Sequence, residues 1–466
     1  MPTFTHTVAF PRTRVAEWFS RPGAVVRLTP GIAPMTPISE STSLADGTTV
    51  FDMPAGLKWV AHHQPKGFRP AAQFVDTVAS EPFRTLTGWT HTHVLADAGA
   101  NTVLQDTVSA RVPVPGLRSI FQFRATALSG DLRALDNLAD YTGGPLTPLT
   151  VAVTGATGTI GSQLRALLTT AGHTVVQLVR SPAQARPATE RDGGARYWDT
   201  DNPAADLLDG VDAVVHLAGA PIAGRFSAEH LRTVRQSRVA PTRALAQLIA
   251  ASPQVKVAVG ASAIGYYGAD RGIELLQEDA AVGPEAASYT GAPGSDNLAA
   301  IVRDWEQAWD PARASGTRVV TVRTGLVLAG GGGLLPLLAG VVATGLGGRL
   351  GKGTQWFPWI AIDDLLDIYH RAVVDPALSG PVNAVAPLSS GVDNAEFTEV
   401  LGQVLRRPTV IPVPSFGPAV LLGRRGAKEL ALANQRVSPA VLAAAGHRFR
   451  FTSLHAALSH ELLRQR

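Results

Sequence analysis

The 466-residue chain contains no cysteine, which excludes disulfides, thiolate metal sites and cysteine catalysis. Charge is also sparse: Asp, Glu, Lys and Arg make up 17% of residues, below the usual quarter, while 45% are hydrophobic, so core material is plentiful. The net charge is +4 and the arginines are scattered, with no basic run interleaved with aromatics. Nucleic-acid binding is therefore not expected. The opening MPTFTHTVAF lacks a charged segment followed by an apolar one, so no signal peptide is expected. One stretch, Gly325 to Gly348, runs 24 residues without a charge, long enough to cross a bilayer. Its Gly330–Gly333 tetrad and Pro336 argue for a Gly-rich loop and a short buried helix instead. No membrane span is expected, and the compartment expected is the cytoplasm.

What is present centres on Val151–Arg180, VAVTGATGTIGSQLRALLTTAGHTVVQLVR. A β-branched run stops at Gly155, a helical pattern follows, and Thr174–Val179 again has strand character: strand, glycine turn, helix, strand. Gly155 permits the tight turn, Gly158 lets backbone N–H groups approach a pyrophosphate, and Gly161 lets the helix lie close to the strand. With Thr157, Thr159 and Ile160, these residues form the expected cofactor cradle, the pyrophosphate resting on the helix start near Thr159. A dinucleotide site for NAD usually ends its second strand with an acid for the ribose 2′-OH. Here Arg180-Ser181-Pro182 stands there, which favours NADP over NAD.

The GxxGxxG spacing resembles the extended, epimerase-like branch of the short-chain dehydrogenases. A whole domain precedes it. In that domain Arg84 to Leu95 alternates as a strand, a turn at Asp97–Asn101 follows, and Thr102–Val112 reads as its partner. A long helix from about Ser119 to Tyr141 carries Leu128, Leu132, Leu135 and Leu138 on one stripe. Opening strand, helix around Val15–Phe19, sheet and closing helix resemble the START-like helix-grip (SRPBCC) fold, which implies a cavity for an apolar ligand. His91 and His93 share a strand face. No third ligand type lies nearby in the sequence, so a solvated or cross-strand pair is expected, and no metal.

After the breaker-rich linker Thr142–Pro148, βα units continue: the strand 212–218 ending at Gly219, a helix Ser227–Ala251, a strand Val255–Ala261, and a strand Arg318–Val322. HLAGAPI, ASAIGYYG, RDWE (Arg303–Glu306), RTGLVL and QWFPWIAIDDL together resemble the uncharacterised nucleoside-diphosphate-sugar-epimerase-like short-chain dehydrogenases, loosely called cell-division-inhibitor-like. The tail, with IPVP (Ile411–Pro414) and NQRVSPAVLAAAGHRFRF, resembles that subgroup's C-terminal module. The expected fold class is α/β: a doubly wound parallel-sheet Rossmann domain (149–380) with a C-terminal cap module (381–466), preceded by an α+β helix-grip domain (1–146).

Short-chain dehydrogenases usually move protons with a Tyr-x-x-x-Lys pair. The lysines here are Lys58, Lys66, Lys256, Lys352 and Lys428, and none has a tyrosine four residues before it. The resemblance implies Ser262 as the hydroxyl that orients a substrate carbonyl and Tyr267 as a candidate proton donor. It also implies Leu217, Ala218, Gly219 and Arg323 among the cofactor contacts. His216 is expected to pack or line the pocket, Asp363 and Asp364 to cap a helix, and Arg349, Lys352 and Trp356 to overhang the crevice. The expected function is an NADP-binding oxidoreductase or epimerase-like enzyme for an unknown small or apolar metabolite. Its rivals are a catalytically silent NADP sensor or scaffold, and a carrier of an apolar ligand.

Overall fold

The computed structural model describes residues 1–189, 192–292, 294–414 and 416–465. The N-terminal unit is an antiparallel sheet of seven strands, in the order Thr3–Val8, Asn101–Ser109, Thr90–Ala98, Gln73–Val78, Lys58–His63, Thr48–Asp52, Thr36–Ser39. Period-two alternation turns Phe74, Leu95 and Leu104 to one face, where they meet Trp18 and Phe19 of the helix Arg12–Ser20 and Leu128 and Leu132 of the helix Leu117–Thr142. On the long helix Leu128, Leu132 and Leu138 are buried and Leu135 is half-buried, as the stripe predicts. Gly116 and Gly143 flank it in left-handed conformations, φ 79° and 73°. The strand expected from Arg84 begins only at Thr90. Phe83–Thr87 is a short helix closed by Gly88 at φ 52°, and the Glu81 carboxylate accepts the Thr85 N–H. Local side-chain hydrogen bonding overrides the alternation there.

The second unit is a seven-stranded parallel sheet, in the order Ala195–Tyr197, Thr174–Val179, Thr150–Thr154, Ala213–His216, Val257–Ala263, Arg318–Thr324, Gly380–Ala384. Both faces are covered, which is why its strands read as continuous apolar runs. Val151, Val153 and Val215 pack with Leu164 and Leu365 on one face, while Ala152, Val214 and Ala258 meet Leu245, Ile249 and Trp309 on the other. The border drawn at residue 380 falls on the last strand, which completes this sheet. The C-terminal stretch is woven in further: Asn434–Val437 pairs with Asp270–Leu276, and the helix Leu454–Glu461 shares a core with Leu335, Trp359 and Phe397. The charge-free stretch forms a 10-residue helix, Leu334–Ala343, with Leu335 buried but Leu337 and Val341 exposed. Among the described residues no helix is long and apolar enough to cross a membrane.

The units meet on the glycine-turn helix Thr159–Thr170. Gly23 (φ 96°) lets the N-terminal helix Ala24–Leu28 approach it, since a β-carbon there would lie 2.5 Å from the Ala166 carbonyl oxygen. Next to this contact is a buried ionic cluster. Arg27 donates to both carboxylate oxygens of Asp131 (3.0 and 2.8 Å), to Asp363 (2.7 Å) and to Gln163 (3.0 Å). Arg450 forks onto Asp367 (2.6 and 2.6 Å) and reaches Asp131 at 2.8 Å. Asp364 accepts the Arg450 and Phe451 N–H groups. Asp363 and Asp364 are thus not helix caps; the helix Ile362–Val374 starts at Ala361 without a side-chain cap, and both acids are consumed by the cluster. Replacing Arg27 by Met would leave Asp131 and Asp363 buried with one cation fewer. We expect a loss of about 3–5 kcal/mol in denaturant-unfolding stability, far above the ~0–1 kcal/mol of a surface pair.

Candidate functional site

The crevice opens at the carboxyl ends of the central strands. Strand Thr150–Thr154 stops at Gly155, φ 65°. A β-carbon on Gly161 would lie 2.1 Å from the Gly155 oxygen, and one on Gly155 would lie 3.0 Å from the Ala218 nitrogen. The Thr154 hydroxyl accepts the N–H groups of Leu217 and Ala218, both at 3.1 Å, and shares a 2.7 Å hydrogen bond with His216 Nδ1. These bonds lay Leu217-Ala218-Gly219 against the glycine turn. Gly158 caps the helix Thr159–Thr170 with no side-chain hydrogen bond, which leaves its first-turn N–H groups for an anion. Thr157, Gly158 and Thr159 are exposed and Ile160 is half-buried. Arg180 is exposed just beyond the second strand, and its side chain has no hydrogen bond or ion pair among the described residues. The cradle therefore fits a dinucleotide: turn, close backbone approach and a free helix start coincide.

The Gly-rich loop overhangs this cradle. A β-carbon on Gly332 would lie 2.6 Å from Thr159 Oγ1, one on Gly31 would lie 2.5 Å from the Gly331 nitrogen, and Gly330 N–H donates to Glu461 at 2.7 Å. N-terminal unit, C-terminal helix and nucleotide turn thus converge on Gly330, Gly331 and Gly332. Arg349 and Lys352 are exposed, with Arg349 donating to the Lys352 carbonyl. Trp356 is covered by the Arg436 guanidinium at 5.1 Å.

At the chemical end, Ser262 on strand Val257–Ala263 is buried and donates to Glu306 Oε1 at 2.5 Å. Arg323 grips the same carboxylate with two 2.9 Å bonds, donates to the Tyr267 hydroxyl (3.0 Å) and the Glu278 carbonyl (2.9 Å), and stacks 3.6 Å over the Tyr266 ring. Expected at the cofactor, Arg323 is instead 3% exposed and spent on bracing Glu306. Tyr267 is corrected in the same way. It is fully buried, donates to Asn383 at 2.7 Å, and burial pushes its phenol up to about 12. A hydroxyl held by Asn383 and Arg323 positions the loop and does not face the crevice. Tyr266, half-buried, has no hydrogen-bond partner for its hydroxyl among the described residues.

Two residues were missed by the sequence reading. Glu306 stood inside the quoted RDWE but received no role; only the fold brings it to Ser262. Arg238, in the helix Ala228–Ala250, is buried and lies 5.0 Å from the Trp305 ring, directly under Gly219. A β-carbon on Gly219 would meet its guanidinium at 2.9 Å. Arg238 makes no ion pair among the described residues, and burial lowers it to about 10. His216 packs as expected, edge-on to Trp198 and Trp309, and burial lowers it to about 3.

A model of the NAD dependent epimerase/dehydratase family matches residues 151–384, and the domain of unknown function DUF1731 matches 413–461. The epimerase family protein Mb2239 of Mycobacterium bovis is 37% identical over 318 residues, covering 67% of this chain and 98% of that protein. This chain belongs to the NAD dependent epimerase/dehydratase family. The epimerase-family fold extends to solved structures. A nucleoside-diphosphate sugar epimerase of Corynebacterium glutamicum is 44% identical with a TM-score of 0.84, covering 99% of this chain and 90% of that one. The human epimerase family protein SDR39U1, solved with NADPH, is 34% identical with a TM-score of 0.56, covering 66% of this chain and 98% of that one. A nicotinamide dinucleotide is accordingly the cofactor class of this epimerase-family chain. The cell-division-inhibitor-like label rests on the resemblance alone.

Burial pushes Glu461, which pins the Gly-rich loop, up to about 7, and Asp364 up to about 8, from ordinary values of 4.5 and 3.8. The folded chain then holds protons that the unfolded chain has released. Stability from Glu461 falls as pH rises from about 4.5 to about 7, and from Asp364 as it rises to about 8. The melting temperature of Glu461→Gln, which keeps an oxygen for the Gly330 N–H, should therefore rise relative to that of the wild type as pH rises from 5 to 7.

Proposed function

We propose that the chain is an NADP(H)-dependent oxidoreductase or epimerase-type enzyme for a small or apolar metabolite, in which Ser262 and Glu306 replace the missing tyrosine–lysine pair. The observation that carries this is the 2.5 Å hydrogen bond from buried Ser262 to half-buried Glu306 at the carboxyl end of a central strand. The cofactor would be held by Gly155, Thr157, Gly158, Thr159, Ile160, Gly161, Leu217, Ala218 and Gly219, with Arg180 taking the 2′-phosphate. When bound, its nicotinamide supplies hydride chemistry. The chain's own part is proton handling: Ser262 passes a proton between a substrate oxygen and Glu306, and Arg323 fixes the carboxylate that receives it. Arg238 offers an unpaired cation beneath Gly219 for an anionic group of cofactor or substrate. NADPH in the human relative's structure supports the choice of NADP, and the compartment we favour is the cytoplasm.

The N-terminal unit we read as a START-like helix-grip module carrying an apolar ligand. Its support is a cavity of about 770 Å³ between sheet and long helix, lined by Phe19, Leu28, Met35, Phe51, Trp59 and Ile120 among others.

Calorimetry should show NADP(H) binding about tenfold to hundredfold tighter than NAD(H), as a charged contact of roughly 1.5–3 kcal/mol implies. Arg180→Ala should remove the difference; equal affinities in the wild type would reject the assignment. In a stopped-flow scan of NADPH oxidation across carbonyl and sugar-nucleotide panels, Ser262→Ala and Glu306→Gln should each lower turnover about 10²–10⁴-fold. Tyr267→Phe should change it little. Tight NADPH binding with no turnover in any variant would replace the enzyme by an NADP sensor.

A further inference from the structure

The register of the N-terminal sheet assembles polar groups that the reading of residues 149–466 leaves unused. Asp76 stands directly opposite His91, and His93 directly opposite Asp106, on neighbouring antiparallel strands. Residues 91 and 93 are two apart, so all four side chains emerge on one face. That face is the floor of the 770 Å³ cavity, whose lining includes Asp76, His91 and His93. Of the solvated or cross-strand pair expected, only the solvated alternative is overturned: His91 is 6% and His93 3% exposed, and carboxylates from both neighbouring strands flank them, which supplies the third ligand type that the nearby sequence lacked.

The distances separate the two carboxylates by role. Asp76 Oδ2 lies 3.5 Å from His91 Nδ1 and 3.5 Å from His93 Nε2, too long for good hydrogen bonds. A cation held about 2.1 Å from each of three donors in tetrahedral geometry separates the donors by roughly 3.4 Å. On the other side, Asp106 Oδ1 lies 2.9 Å from His91 Nε2 and 2.8 Å from His93 Nδ1. The His91 contact is a hydrogen bond, and a carboxylate behind the far nitrogen is the arrangement that orients a ligating imidazole; His93 Nδ1 is near the same oxygen without hydrogen-bond geometry. His63, opposite Asp76 on the next strand, supplies an independent polar group at the same place. It is 9% exposed, lines the cavity, and its Nδ1 has no hydrogen-bond partner among the described residues.

We propose that Asp76, His91 and His93 bind a divalent first-row metal ion, with Asp106 as the carboxylate that orients His91 and the remaining coordination positions open to the apolar cavity. Two imidazoles and one carboxylate suit Zn²⁺ or Fe²⁺, and three protein ligands leave room for an exogenous donor. Arg124 lines the same cavity and forms no ion pair among the described residues, so the ligand class is an apolar molecule bearing one anionic oxygen donor. This site is independent of the nucleotide crevice and of the proton chemistry proposed there.

The test uses the full-length protein, stripped with chelator, re-equilibrated with Zn²⁺ or Co²⁺ alone and freed of excess metal. Elemental analysis should give one ion per chain, and the Co²⁺ form should show visible d–d absorption of a low-coordinate nitrogen–oxygen site. His93→Ala should lose the ion. Asp76→Asn, which keeps the side chain's shape, should weaken retention at least tenfold while NADPH affinity is unchanged. Asp106→Asn should weaken metal affinity about 10–100-fold. No retained ion in folded wild-type protein would overturn the site, and so would equal retention by His93→Ala and Asp76→Asn, which would place the metal elsewhere. If His93→Ala fails to fold, the Asp76→Asn result decides alone.

Discussion

The interaction on which the arrangement depends is the buried cluster of Arg27 and Arg450 with Asp131, Asp363, Asp364 and Asp367. Moving these charges out of water costs several kcal/mol each, and only complete mutual bonding offsets it. Arg27 comes from the N-terminal unit, Asp363 from the Rossmann unit and Arg450 from the C-terminal stretch, so the cluster is satisfied only when all three are docked. Carboxylates outnumber guanidiniums, and the burial-raised Asp364 relieves the imbalance by holding its proton and accepting two backbone N–H groups. Docking is thereby cooperative with folding rather than a loose association through the linker.

That docking has a consequence at the nucleotide turn. The loop 330–333 is hemmed in by Gly31 on one side, by Glu461 on another and by Thr159 beneath. A β-carbon at Gly330 would lie 2.4 Å from the Glu461 carbonyl oxygen and one at Gly332 2.6 Å from Thr159 Oγ1, so the close approach requires glycine at these two positions. Arg323 illustrates the same economy at the chemical end. A guanidinium that brackets Glu306, receives no solvent and stacks on Tyr266 is a strut. Fixing Glu306 against Ser262 is what gives that serine a partner for its proton in a chain without the usual tyrosine and lysine.

Much of the architecture was legible in the residues. The glycine spacing, the β-branched runs and the leucine stripe of the long helix are local signals, each read within a dozen residues. The strand at Arg84 was misread because Gly88 and the Glu81 carboxylate close a helical turn that alternation does not reveal. The roles of Arg323 and Tyr267 were misassigned because motif position shows where a side chain starts, not which partner it finds. Glu306 carried no signal of its own beyond lying in the quoted RDWE, and Arg238 carried none.

The sequence by itself determined the dinucleotide turn, the absence of thiol chemistry and the absence of a tyrosine–lysine pair, since each depends only on residue identity and short spacing. Tertiary structure alone decided which charges meet. Arg27 and Asp363 are 336 residues apart, and Ser262 and Glu306 are 44 apart. Asp76 reaches His91 and His93 only through sheet register. Pairings at such separations follow from strand order and burial, where the penalty for an unpaired buried charge selects the partner, and no local pattern encodes that selection.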